Sequence, residues 1–111
     1  MTEITDEYMQ EMLGRTKTYT LVLLKSGPNY DTPDVGKTIW EHGRRNFTLR
    51  AEGVMPIVGP LLDDTEMCGA CIMDAPVDET VRIMDDDPGV QAGVFTYEVH
   101  PMRSFPGSVL P

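Results

Sequence analysis

The sequence predicts an α+β fold in which strands and helices follow the order β-α-β-β-α-β. This is the ferredoxin-like split βαβ pattern, with a four-stranded antiparallel sheet. Three observations carry that prediction. Short segments with the two-residue alternation of strands are interrupted by two segments whose apolar residues recur every three to four positions. The length, 111 residues, is that of one domain. Hydrophobic residues at 41% against charged residues at 24% are the balance of a globular chain, not of a disordered one.

Residues 5–14 (TDEYMQEMLG) read as a short helix, capped by Thr5 or Asp6 and ended by Gly14. Tyr8, Met9, Met12 and Leu13 share one of its faces, which suits a packing arm or a frayed end. Residues 18–25 read as a strand. Leu21 and Leu23 face one way and Val22 and Leu24 the other, so both faces are expected to be covered. Turn formers fill residues 26–34. Residues 34–52 read as the first long helix, with Asp34 as cap and Gly53 as stop. Its apolar arc is expected to run through Val35, Ile39, Trp40, Gly43, Phe47 and Ala51, with His42, Asn46 and Leu49 along one edge. Strands follow at 54–59 and 67–73. Pro56 points to an edge or bulged position in the first of them. Residues 76–86 form the second helix, with Pro76 in its first turn. Residues 94–100 form the last strand, and the tail after it has little pattern.

Two helices cover only one face of such a sheet. The apolar side chains on the other face predict a symmetric partner, hence a homodimer closed through facing sheets. Eighteen acidic residues against nine Lys and Arg give a net charge of -9, which argues against nucleic acid or an anionic membrane as partner. No apolar run reaches the length of a membrane span. The opening residues lack the basic and apolar stretches of a signal peptide. With two cysteines, a reducing cytoplasmic setting is the expectation.

His42 sits at the border of a helix's buried arc, where an imidazole is half desolvated yet within reach of solvent, as a base working near neutral pH needs. Asp85, Asp86 and Asp87 close the second helix, where the helix dipole disfavours negative charge. Pro88 biases Asp87 out of helical geometry, so its carboxylate is expected at the helix–loop corner. Gly27-Pro28 and Gly59-Pro60 offer turns or a close backbone approach to a ligand. Cys68 and Cys71 spell C-x-x-C, but on a strand they point to opposite faces. Neither a redox disulfide nor a closed zinc site fits, so no metal is expected. Lys25, Arg44 and Arg45 are basic groups able to meet a ligand anion. Tyr30, Trp40, Phe95 and Tyr97 either line a pocket or pack.

The run from His42 to Gly59-Pro60, the later DDDPGVQAGV, the opening strand TLVLLKSGPN and the closing FTYEVHPM together resemble the YCII-related (YciI-like) family. The resemblance covers residues 18–105, leaving 1–17 as an N-terminal extension and 106–111 as a tail. It implies a ferredoxin-like fold that pairs into a dimeric α+β barrel, with a histidine–aspartate pair in a pocket. His42 and Asp87 stand at the matching positions. One branch of the family removes chloride from a chlorinated hydroxyhydroquinone. The wider barrel superfamily includes muconolactone isomerases and haem- or quinone-directed enzymes, so the fold alone selects no reaction.

The expected chemistry is proton abstraction from a small cyclic or phenolic substrate. His42 is the base, Asp87 its orienter, and Ser26, Arg45, Gly59 and Pro60 the substrate-binding residues. That scheme requires no metal or organic cofactor. The competing class is a non-catalytic small-molecule-binding or accessory protein on the same dimer.

Overall fold

The computed structural model describes residues 1–111. The elements are α1 (Asp6–Leu13), β1 (Lys17–Ser26), α2 (Val35–Ala51), β2 (Ile57–Pro60), β3 (Met67–Met73), α3 (Val77–Asp85), α4 (Pro88–Gln91) and β4 (Phe95–Ser104). The four strands form one antiparallel sheet in the order β2-β3-β1-β4. The ferredoxin-like α+β expectation therefore holds, with α4 inserted ahead of the last strand. No helix is long and apolar enough to cross a membrane.

The core lies between the helices and one sheet face. Alternation along β1 buries Thr20, Val22 and Leu24 and leaves Leu21 and Leu23 half-buried on the other side. Val22 and Leu24 join Cys71 and Met73 of β3, Met84 of α3, and Phe95 of β4 in the buried cluster, with Ile39 and Leu49 of α2 packed against it. Thr20 is fully buried, and its hydroxyl donates to the Ala75 carbonyl at 2.8 Å. Both faces of β1 are not covered within one chain, because α2 and α3 pack on the same side.

Several boundaries differ from expectation for identifiable reasons. β2 begins at Ile57, not at residue 54, because the amides of Val54 and Met55 both donate to the Leu49 carbonyl, at 3.0 and 3.2 Å, and close the end of α2. Gly53, in the left-handed region at φ 81°, makes that reversal. β4 continues through Pro101 to Ser104, where the sequence suggested a stop at residue 100. It is an outer strand, so a missing donor at Pro101 costs no ladder bond on its free side. Asp34 precedes α2 at φ 66° and makes no side-chain cap, contrary to the assignment of that role. Thr5 does cap α1, accepting from the Tyr8 amide at 3.1 Å. That helix buries none of its residues.

The largest correction concerns the face of α2. Its only buried residue is His42, and Ile39 and Leu49 flank it. Trp40 and Phe47, placed by periodicity in the buried arc, are 69% and 72% exposed. A period of 3.6 residues locates an apolar stripe without saying which way the stripe points.

Candidate functional site

Two parts of the chain 45 positions apart meet beneath α2. His42 comes from the middle of that helix, and Asp87 from the turn between α3 and α4. Nδ1 of His42 lies 2.8 Å from both carboxylate oxygens of Asp87. Asp87 is 1% exposed, so its charge has to be met by protein donors. They are present: the amides of Gly89 and Val90 donate to Oδ2 at 2.9 and 3.2 Å, and Asp87 is thereby the N-cap of α4. Pro88 at the first helical position leaves the residue before it extended, at ψ 133°, which is the cap conformation.

Gly89 has no room for a side chain. A Cβ there would sit 2.6 Å from the Phe95 ring and 3.0 Å from Asp87 Oδ2. Phe95 in turn lies against the imidazole, with ring centroids 4.7 Å apart and planes tilted by 47°.

Burial pushes the Asp87 carboxyl up. The hydrogen bond and charge of His42, with the Val90 and Gly89 amides, outweigh it and hold the group below its ordinary range. An ionised carboxylate only accepts, so Nδ1 carries the proton and donates to Asp87. For the neutral ring, Nε2 is then the free lone pair. The Asn46 side-chain amide, one helical turn along α2, donates to it at 3.2 Å.

Beside His42, and out of reach of the buried Asp87, lies a cavity of about 430 Å³ between α2 and the sheet, lined mainly by apolar residues. That volume falls in the range of small-molecule sites. His42, Asn46, Phe47 and Arg50 of α2 line it, together with Tyr30, Phe95, Gly59, Pro60 and the stretch Cys68–Cys71.

Of the residues singled out from sequence, His42 and Asp87 meet, and Gly59 and Pro60 line the cavity. Ser26 does not line it: this residue ends β1, and its amide is used by the Glu66 carbonyl at 2.9 Å. Arg45 does not line it either. Its guanidinium approaches Asp87 Oδ1 at 3.8 Å, on the carboxylate side of the pair. Gly27 abuts the Gly93–Val94 backbone and does not line this cavity. Tyr30 and Phe95 line the cavity, whereas Trp40 and Tyr97 do not, and the Tyr97 hydroxyl donates to Asp85 at 2.6 Å.

Both cysteines are free, and both line the cavity, although strand alternation assigns them opposite faces. The register slips between Leu24 and Lys25, whose partners are Gly69 and Met67, so a bulge at Cys68 breaks the alternation. Burial pushes the Cys71 thiol up to about 12. No group of three or more His, Cys, Asp or Glu side chains is arranged to hold a metal ion. Asn46 and Arg50 are the residues that sequence reasoning did not assign to the site. Their spacing of four and eight from His42 along one helix was the available signal.

Fold and site together define a class: a ferredoxin-like α+β domain with a buried histidine–aspartate pair at the wall of an apolar cavity. The chain belongs to the YCII-related family, whose domain model matches residues 18–103. No curated protein matches it.

Proposed function

We propose that this protein is a small-molecule enzyme that uses His42 as a general base, assisted by Asp87, on a small cyclic or phenolic substrate. The observation that carries the reading is the buried Nδ1–carboxylate contact at 2.8 Å, which leaves Nε2 as the acceptor beside the cavity. The substrate displaces the Asn46 amide from Nε2 and presents an acidic O–H or C–H bond there. The proton passes to Nε2, and Asp87 stabilises the imidazolium by staying ionised. The Asn46 amide, displaced from Nε2, and the guanidinium of Arg50, which lines the same cavity, supply donors for the oxygen that gains charge. They replace Arg45 and Ser26 in that role. Mostly apolar walls weaken competition from water. Isomerisation, or loss of a leaving group such as chloride from a ring, follows from the same proton abstraction.

The homodimer belongs to this proposal. Only 15 of 111 residues are buried in the single chain, and Leu21, Leu23, Ile57, Ile72 and Met102 are left half-covered on the sheet face away from the helices. A second sheet laid against them completes the enclosure.

The test is turnover against a panel of phenols, quinones and lactones. His42→Gln and Asp87→Asn are run beside the parent chain, and ligand binding is measured in parallel. Loss of turnover with retained binding supports the base assignment. Binding without turnover by the parent chain across the panel replaces it with the non-catalytic binding protein.

A further inference from the structure

α2 carries a seam that the fold does not use. Gly36, Trp40, Gly43, Phe47 and Arg50 are spaced by four, three, four and three residues, the spacing that keeps side chains on one helix face. Trp40 and Phe47 are 69% and 72% exposed. The glycines between them are open, since a Cβ built at Gly36 or Gly43 has no heavy atom within 4 Å. Large and empty positions therefore alternate along a solvent-facing helix of 17 residues, where two glycines only weaken the helix unless something fills their place.

We infer that this face is an interface with a second copy of the same chain, formed by two α2 helices packed antiparallel about a two-fold axis between residues 41 and 42. An axis there sets each Trp40 level with the partner's Gly43, and each Phe47 level with the partner's Gly36. One register thus places both aromatic side chains of each helix over glycines of the other. Two-fold symmetry demands this kind of self-complementarity, in which one patch supplies both projections and hollows. Glycine also lets the helix axes approach closely enough for a flat ring to fill the gap.

Charge agrees with the register. Arg50 falls level with the partner's Pro33, one position from its Asp34, and neither Arg50 nor Asp34 is in an ion pair within the chain. The four aromatic side chains alone would bury about 600 Å². The helix flanks add to this, bringing the contact toward the lower limit of specific interfaces.

The consequence reaches the cavity. Gly43, Phe47 and Arg50 line it, so the partner's Trp40 would stand at its mouth and narrow access to His42. This interface is separate from the proposed pairing through sheet faces, and it does not rest on the reaction assigned to the pair.

Trp40 is the chain's single tryptophan, so its fluorescence reads the contact directly. Emission and iodide quenching are measured on the full chain from nanomolar to high micromolar concentration, with mass followed by sedimentation. The expected result is a blue shift and loss of quenching that track a rise in mass. Gly36→Leu, which fills a hollow without touching the cavity, should weaken that association at least tenfold. Leu21→Glu on the free sheet face, confirmed folded by circular dichroism, should leave the blue shift in place. Emission typical of exposed indole at every concentration overturns the inference. So does a shift that Gly36→Leu does not alter, that Leu21→Glu abolishes, or that requires an added small molecule.

Discussion

Replacing Asp87 by Asn separates its two duties. The carboxylate accepts from the Gly89 and Val90 amides on one side and from Nδ1 of His42 on the other. Asparagine is as good an N-cap as aspartate, so its single carbonyl oxygen keeps the two amides and α4 survives. Its amide group is then turned toward His42 and donates where the carboxylate accepted. Nδ1 can no longer hold a proton there, so the ring adopts the other tautomer, with the proton on Nε2. The Asn46 side chain has to flip to accept it. His42 then presents no lone pair at the cavity.

Loss of charge-assisted hydrogen bonds at a site 1% exposed should cost about 1.5–3 kcal/mol of stability. Turnover on any substrate of the pair should fall by about 10⁴, the effect of a wrong tautomer in a base–orienter pair. The decisive assay needs no substrate. Nitrogen-15 correlation spectra of the imidazole distinguish a protonated Nδ1 from a protonated Nε2. Finding Nδ1 still protonated in Asp87→Asn, with turnover within threefold of the parent, would refute the reasoning.

Three further outcomes are expected. Gly43→Ala removes a helix-interior glycine at a position open within the chain, so thermal unfolding at concentrations too low for α2 pairing should show a gain of about 0.5–1 kcal/mol, while ligand affinity falls as the cavity narrows. The folded state holds Asp87 below its ordinary value of 3.8, so the carboxylate's contribution is whole above that pH and is lost as pH falls through the folded value. Urea midpoints measured from pH 5 downward should drop less steeply below pH 4 in Asp87→Asn than in the parent. Alkylation of the folded protein should leave Cys71 unmodified, its thiol being pushed up to about 12 by burial, and both cysteines should react once the chain is unfolded in the absence of reductant.

The fold was legible because its signals are local. The apolar run Leu21–Leu24, the terminating Gly53 and the helical spacing of Val77, Val81 and Met84 each act within a few residues. His42 and Asp87 were legible as chemically unusual residues in their segments, and the resemblance paired them. Neither cue reveals that the carboxylate also caps α4, because a four-residue helix has too little pattern to announce itself. Ser26 and Arg45 were assigned to the site for their chemistry, as a donor and a cation for a charged ligand oxygen, and chemistry alone does not fix direction. Which way each side chain projects depends on packing between elements, and a one-residue bulge at Cys68 is enough to reorder which groups line a cavity. Trp40 and Phe47 failed for the opposite reason: their spacing is that of a core stripe, and only the third dimension shows that the core lies elsewhere.

Prolines guard both margins of the sheet. β2 is four residues long, preceded by Pro56 and finished by Pro60, and β4 carries Pro101 at mid-length opposite Thr20. An outermost strand with its peptide groups unpaired is a template for adding a foreign strand, which is the route to fibrils and swapped assemblies. Here one margin is too short to template anything, and the other lacks a donor midway along its ladder. Strand addition is thereby discouraged on both sides, and association of copies is channelled toward contacts between broad surfaces. A concentrated solution of this protein should therefore form discrete particles, and thioflavin-type dyes that light up on stacked strands should stay dark as it ages.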